Sequence, residues 1–361
     1  MALNGAPGIG PVRFHQILKV FGTLDRALGV PAVELAAKIP ALNPEQAALV
    51  LKSVEAFDFK KEWETLSRLK ARALRFCDED YPAGLLPLHA PAPLLYVIGN
   101  LPQVSKRAVA VVGTRNPTTY GTTQCRMLIE GLAAAGLQIV SGLAKGIDAV
   151  AHQACLDFGA GTFGVLGSGL NAFYPSQNRE LAMSMIAEGG GVISQFSCDS
   201  SPERYHFPMR NALISGLSSA VLVVEGEEDS GSLITAEWAL EQGRDIYALP
   251  GPADARYSRG PNRLIQQGAK LVLDAQDILS EFPEFKAGPL EKKRGPLFKP
   301  REALSGEESK IFKALSESGR MALDQLASKT GMPAADLSAC LTMLEIKGAV
   351  RQLPGTMVEA L

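Results

Sequence analysis

Arg107-Ala-Val-Ala-Val-Val-Gly-Thr-Arg115 opens, and Ser141-Gly-Leu-Ala-Lys-Gly-Ile-Asp148 closes, the stretch from which the fold is read. The first run is short, β-branched and apolar, as a strand buried on both faces of a parallel sheet must be. A helical segment from Thr122 to Ala135, closed by Gly136, leads to a second strand, Leu137-Gln-Ile-Val140. Both strands end in a glycine-rich turn carrying a cation, Arg115 in one and Lys145 in the other. They deliver those turns to the same edge, the carboxyl ends, where open α/β sheets bind ligands. The simplest ligand for such an edge is one that carries phosphate.

The alternation continues outward. Strands are expected at Thr162–Leu166, Val192–Phe196, Ala220–Val224, Asp245–Leu249 and Lys270–Leu273, with helices between them, and Leu94–Ile98 reads as an added strand. This is the pattern of an α/β fold with a doubly wound, mostly parallel sheet. Four segments follow from it. Residues 1–74 read as a small helical domain, in which Pro7-Gly-Ile-Gly10 with Phe14 and Ile17 resembles a helix-hairpin-helix or SAM-like element; a weaker echo at residues 39–49 has Ala41 and Asn43 in place of the glycines. Leu51–Leu74 is expected to be helical throughout, and Arg75–Pro93 a connector into the central domain, residues 75–282. Residues 283–304, rich in proline and in Lys and Arg, form a linker, and residues 305–361 give the three-helix and return pattern of a winged helix.

At 361 residues with 46% hydrophobic content the chain has material for more than one domain with real cores. The formal charge of −2 excludes a globally basic polyanion binder and leaves room for a local cationic groove. The five cysteines form no CxxC pair and no zinc-ligand spacing, so they read as free thiols of a reducing compartment. No apolar run is long enough to span a bilayer and no secretory leader is recognisable, so a cytoplasmic protein without membrane contact is expected. The four histidines stand in no triad or metal spacing, and no P-loop lysine is present, which leaves no support for ATP hydrolysis.

Each motif has a bland alternative. Arg115 beside Gly113 and Thr114 is either a surface arginine or a phosphate fork on a turn whose glycine lets a ligand approach. Asp148 reads as a cap for the helix that carries His152. Gly167-Ser-Gly-Leu-Asn-Ala172 fits the dinucleotide fingerprint formally, but Phe173-Tyr-Pro175 intervenes before any helix, so no nicotinamide or flavin cofactor is expected. Arg204-Tyr-His-Phe-Pro-Met-Arg-Asn211 interleaves cations with rings, which suits bases stacked on aromatics with arginines following phosphates; the alternative makes the rings core residues at a helix start. Ser230-Gly-Ser-Leu-Ile-Thr-Ala-Glu237 again favours an anion at a helix start.

Taken in order, Val-Val-Gly-Thr-Arg115, Ser-Gly-Leu-Ala-Lys-Gly-Ile-Asp148, Val-Leu-Gly-Ser-Gly169 with Tyr174, Pro175 and Asn178, Phe-Pro-Met-Arg-Asn211, Ser-Gly-Ser-Leu-Ile-Thr-Ala236, Pro250-Gly251 and Gly-Pro-Asn262 resemble the DNA-processing protein A (DprA/Smf) family across about residues 75–275. The resemblance implies an extended Rossmann-like domain and a non-enzymatic, single-stranded DNA-binding protein of natural transformation. Such a protein protects incoming strands and helps load a RecA-type recombinase, as a homodimer through the Rossmann-like domain around Gly260–Ala269. It implies DNA contacts at Gly113, Thr114 and Arg115, at Gly142 and Lys145, and at Arg204, Phe207, Arg210 and Asn211. Two positions depart from the family pattern: Ala212 where a second arginine is common, and Gln195 where an acid is common. Two other functions stay open: a Rossmann-like nucleotide phosphoribohydrolase, whose helix-start motif Ser230–Glu237 matches only loosely, and a winged-helix regulator reading duplex DNA through Ala334–Lys347.

Overall fold

A computed structural model of the chain describes residues 1–40, 42–102, 108–282, 305–318, 321–347, 349–353 and 357–360. Ala41, Arg107 and the predicted linker 283–304 lie outside the described residues. The chain divides into two compact units, Met1–Pro289 and Leu290–Leu361.

The first unit is built on a nine-stranded sheet. Its strands are β1 (Ala71–Arg75), β2 (Leu94–Gly99), β3 (Ala108–Val112), β4 (Gln138–Ser141), β5 (Thr162–Val165), β6 (Gly191–Ser194), β7 (Ala220–Val223), β8 (Asp245–Ala248) and β9 (Lys270–Leu271). Their spatial order is β1-β2-β6-β5-β4-β3-β7-β8-β9. From β6 to β9 every pair is parallel, and β2 runs antiparallel to both β1 and β6.

Every residue of β3 is buried, which is why it reads as an unbroken apolar run. Its side chains alternate between two cores. Val109 and Val111 pack with Cys125, Leu128 and Leu132 of helix Thr119–Ala134 and with Ala151 and Cys155 of helix Ile147–Phe158. Ala108, Ala110 and Val112 pack with Leu213 and Leu217 near helix His206–Gly216 and with Ala236 and Ala239 of helix Gly231–Glu241. The helix after β3 covers one face and the helix after β7 covers the other, so the chain order reverses between these neighbours. That reversal opens a crevice at their carboxyl ends, the topological switch point.

Residues 2–69 form a helical layer with its own core, including Phe14, Ile17, Leu35, Ile39 and Val50. Ala71–Leu74, expected to be helical, are strand instead. Helix Phe59–Leu69 ends at Lys70, which takes a left-handed conformation at φ 52°, and the chain then pairs with β2 over Ala71–Arg75. Sheet pairing overrides local helix propensity there.

The second unit has helices Gly306–Ser318, Leu323–Thr330 and Ala334–Ile346 and a three-stranded sheet, β10 (Met321–Ala322), β11 (Val350–Leu353) and β12 (Met357–Ala360), in the order β10-β12-β11. This is a winged helix. The expected short return at Val350–Leu353 is β11, and β12 pairs with both β10 and β11 to complete the wing. Ile311, Leu315, Leu326, Leu337, Leu341 and Val358 fill its core, and the Lys347 ammonium meets the Glu308 carboxylate at 2.8 Å. No helix among the described residues is long and apolar enough to cross a membrane.

Leu132 has no exposed surface. Leu132→Ala should therefore cost about 2–5 kcal/mol, through lost transfer energy and a residual cavity. Urea unfolding should show a lowered midpoint with an unchanged denaturant slope.

Candidate nucleic-acid interface

The glycine turns after β3 and β4 are one structure. Ile147 N–H donates to the Thr114 carbonyl at 3.1 Å, and Thr114 N–H donates to the Glu225 carbonyl at 2.7 Å. Gly146 sits at φ 80°, and any Cβ there would collide with the Thr114 carbonyl. Gly142 has no room either: a Cβ would stand 2.6 Å from both the Asp148 carboxylate and the Arg210 guanidinium. Between them Leu143 is held at φ 53°, a costly position for a non-glycine residue, with its side chain fully buried. Asn178 Nδ2 clamps the same loop, donating to the Leu143 carbonyl at 2.8 Å and the Ala144 carbonyl at 3.0 Å. The outcome is a fixed loop that leaves Lys145 exposed.

Beneath the turns lies a buried polar layer. The Asp148 carboxylate accepts from Gly142 N–H at 3.1 Å and Ala144 N–H at 3.3 Å, so it anchors the loop before its helix rather than capping that helix. Burial pushes its pKa up, and Arg210 works against the shift. Arg210 is only 5% exposed. Its guanidinium donates to the Gly142 and Val165 carbonyls, and through Nε to Asn211 Oδ1 at 3.2 Å. Burial draws its pKa down to about 10, with Asp148 opposing, and leaves it charged at neutral pH. His152 Nδ1 lies 2.7 Å from Thr162 Oγ1, which itself donates to the Ile139 carbonyl at 3.1 Å. The hydroxyl proton is therefore committed, which places the imidazole proton on Nδ1. Burial, then Arg210, hold the His152 pKa down at about 3.

Above the turns lies the exposed layer. Arg115, Lys145 and Arg204 are exposed, and none has an ion-pair partner among the described residues. Phe207, half-buried against Gly167, collects the site around its ring. The Arg115 guanidinium stands 5.6 Å from its centroid, that of Arg210 5.9 Å, and the Tyr174 ring meets it edge-on at 6.2 Å. The structure thus brings together Gly113, Thr114, Arg115, Gly142, Lys145 and Phe207, with Arg210 as their support. Asn211 is turned away: it is 7% exposed, and its amide donates to the Gly231 carbonyl at 3.0 Å. Helix His206–Gly216 begins four residues earlier than the expected Arg210 start, because Pro208 falls in the first turn, where a missing N–H costs nothing. That early start is what turns Arg210 inward.

At the switch point, Glu225 accepts from Thr118 N–H at 2.9 Å and Thr118 Oγ1 at 2.5 Å, setting a carboxylate at the start of helix Thr119–Ala134. Asn178 and Glu225 owe their roles to contacts more than 30 residues away in sequence, and local pattern gave Glu225 no signal beyond its place at a strand end.

The sequence profile of the family described as DNA recombination-mediator protein A matches residues 72–283, and that of the DprA winged helix domain matches residues 296–356. Protein Smf of Synechocystis is 34% identical over 98% of this chain and 96% of its own length. DNA processing protein DprA of Bacillus subtilis is 44% identical over 57% of this chain and 69% of its own length. The X-ray structure of DNA processing protein A from Streptococcus pneumoniae superposes with a TM-score of 0.65 at 35% identity, over 78% of this chain and 96% of that one. The Helicobacter pylori DNA processing protein A, described for its single-stranded DNA binding mode, gives a TM-score of 0.53 at 28% identity over 60% of this chain and 96% of that one.

The buried histidine makes stability depend on pH. Folded His152 stays neutral to about pH 3, whereas unfolded it takes up a proton below its ordinary value of 6.5, so the unfolded chain binds more protons and stability falls as pH drops through this window. Asp148, with its pKa raised by burial, works in the opposite sense. Between pH 7 and 5 the unfolding free energy from urea titrations should decline with a slope of up to about 1.4 kcal/mol per pH unit. His152→Gln should flatten that slope, whatever it does to absolute stability.

Proposed function

Because the chain belongs to the DNA recombination-mediator protein A family, we propose that it binds single-stranded DNA along the edge formed by Arg115, Lys145, Phe207 and Arg204. One observation carries the reading: the exposed Arg115 guanidinium stands 5.6 Å from the half-buried Phe207 ring, on turns whose backbone is locked, with Lys145 and Arg204 also exposed and without ion-pair partners among the described residues. Phosphates follow the cations, and a base stacks against the Phe207 and Tyr174 rings. Gly113 and Gly142 let the turns pack closely, since Ile147 with the Glu225 carbonyl at one and Arg210 with Asp148 at the other fill the place of a Cβ, while Arg210 and Asn211 support the edge from behind.

The edge is a binding surface without a chemical step. Its nearby carboxylates, Asp148 and Glu225, are 6% and 3% exposed and already engaged with backbone or Thr118. We assign the chain to natural transformation, where it shields an incoming single strand in the cytoplasm and passes it to a RecA-type recombinase. The DNA-processing names of its Bacillus and Streptococcus relatives, the single-stranded DNA binding of the Helicobacter protein and the recombination-mediator description of its family support the DNA-processing part of this role. A homodimer through the far side of the sheet fits the same picture. The sheet stops there at the two-residue β9, beside Leu273, which is 66% exposed, and next to helix Arg259–Gln266.

A fluorescent oligothymidine titrated with the full chain across a salt series tests the reading. The wild type should bind with steep salt dependence. Arg115→Ala with Arg204→Ala should bind more weakly, and its slope of log K against log salt should be shallower by about 0.7 for each phosphate that is no longer neutralised. Phe207→Ala should lose about 1–3 kcal/mol of affinity at every salt concentration. Unchanged binding in the arginine double variant would refute the edge.

A further inference from the structure

We propose that the single-stranded DNA track does not end at Phe207 but turns over Tyr205 into the groove between the N-terminal glycine loop and the start of helix His206–Gly216, with bases facing inward. This rests on the reading of the Arg115–Phe207 edge given above.

The groove encloses about 810 Å3 and is lined by Gly8, Gly10, Phe57, Lys61, Tyr205 and Met209 among others. That volume lies in the range of about 300–1,000 Å3 typical of sites for small ligands such as a nucleotide. Tyr205 is the junction. It follows Arg204 directly in the chain, stands two residues before Phe207, and lines the groove.

Tyr205 is 63% exposed, yet its ring is held from behind. It meets the His206 ring edge-on at 4.6 Å, and His206 in turn stacks on Phe196 at 3.8 Å between centroids. A large ring held this way loses little freedom when a base stacks on it. Burying an aromatic platform is also the usual reason to expose one beside free cations.

The charges of the groove decide which part of the strand enters. Asp58 accepts from Lys61 N–H at 2.9 Å, Asp199 pairs with the Lys61 ammonium at 2.7 Å, and Glu62 accepts from Cys198 N–H at 2.9 Å. With Glu203 also on the rim, acids outnumber the single lysine among the lining residues. A phosphate would be repelled from this floor. Base edges are uncharged, and their amino groups are donors that carboxylates accept. The phosphates therefore stay outside on Arg204, and the bases point in over Tyr205. The N-terminal helical layer thereby becomes part of the DNA-binding surface, although its helix-hairpin-helix glycine loop meets bases rather than phosphates.

The test is fluorescence anisotropy on the full chain with single-stranded oligomers of about 4 and about 12 nucleotides, the span of site sizes seen for stacking grooves. Tyr205→Ala should bind the longer oligomer about tenfold more weakly than wild type and the shorter one equally well, and Tyr205→Phe should retain both affinities. Circular dichroism on both variants confirms folding, which an exposed ring should not disturb. Tyr205→Ala matching the wild type at both lengths would overturn the proposal while leaving the edge intact. An equal loss at both lengths would also overturn it, by making Tyr205 part of the edge alone. A wild type that binds neither oligomer at low salt would overturn the reading of the edge itself.

Discussion

A single buried guanidinium ties the binding edge together. Arg210 reaches from helix His206–Gly216 to the Gly142 carbonyl in the turn after β4 and to the Val165 carbonyl at the end of β5, with Asp148 beside it at Gly142. Burying such a charge is costly unless its donors find acceptors and an opposite charge lies close; here Nε and Nη1 donate to three acceptors and Asp148 is nearby. The helix is thereby tied to the ends of two neighbouring paired strands. Leu143 can then be held at a positive φ, and Lys145 projects from a loop that has no freedom to collapse.

The edge thus divides its charges by depth. Below, Asp148, Arg210 and neutral His152 compensate or avoid charge within the protein. Above, Arg115, Lys145 and Arg204 have no ion-pair partner among the described residues and offer their charge outward. A chain with a net charge of −2 can hold a polyanion in this way, because the local field at the carboxyl ends of β3, β4 and β5 matters more than the total. Phe207 joins the two layers, facing Arg115 on one side of the division and Arg210 on the other.

Much of this was legible in the sequence. The strand runs at Ala108–Val112 and Ala220–Val223 announced themselves because a strand covered on both faces has no polar positions to obscure it. The pairing of the two glycine turns followed from strand order alone. Depth did not. Arg204 and Arg210 are the same residue type within one motif, and only the early start of helix His206–Gly216, permitted by Pro208, puts one in solvent and the other beneath the turns. The second role of Asp148, the Asn178 clamp and the Glu225 contact with Thr118 all depend on which loops meet in space, which spacing along the chain does not encode. β1 escaped because its pairing with β2, and not its composition, makes it a strand.

The central claim is that a single strand is held on the glycine turns of the sheet. Hydrogen–deuterium exchange of the full chain, with and without a saturating oligothymidine, tests it most directly. The account predicts slowed exchange at residues 113–118 and 142–147 and at the start of helix His206–Gly216 when DNA is bound. Protection confined to residues 305–360, with the turns unchanged, would contradict it and place the DNA on the winged helix.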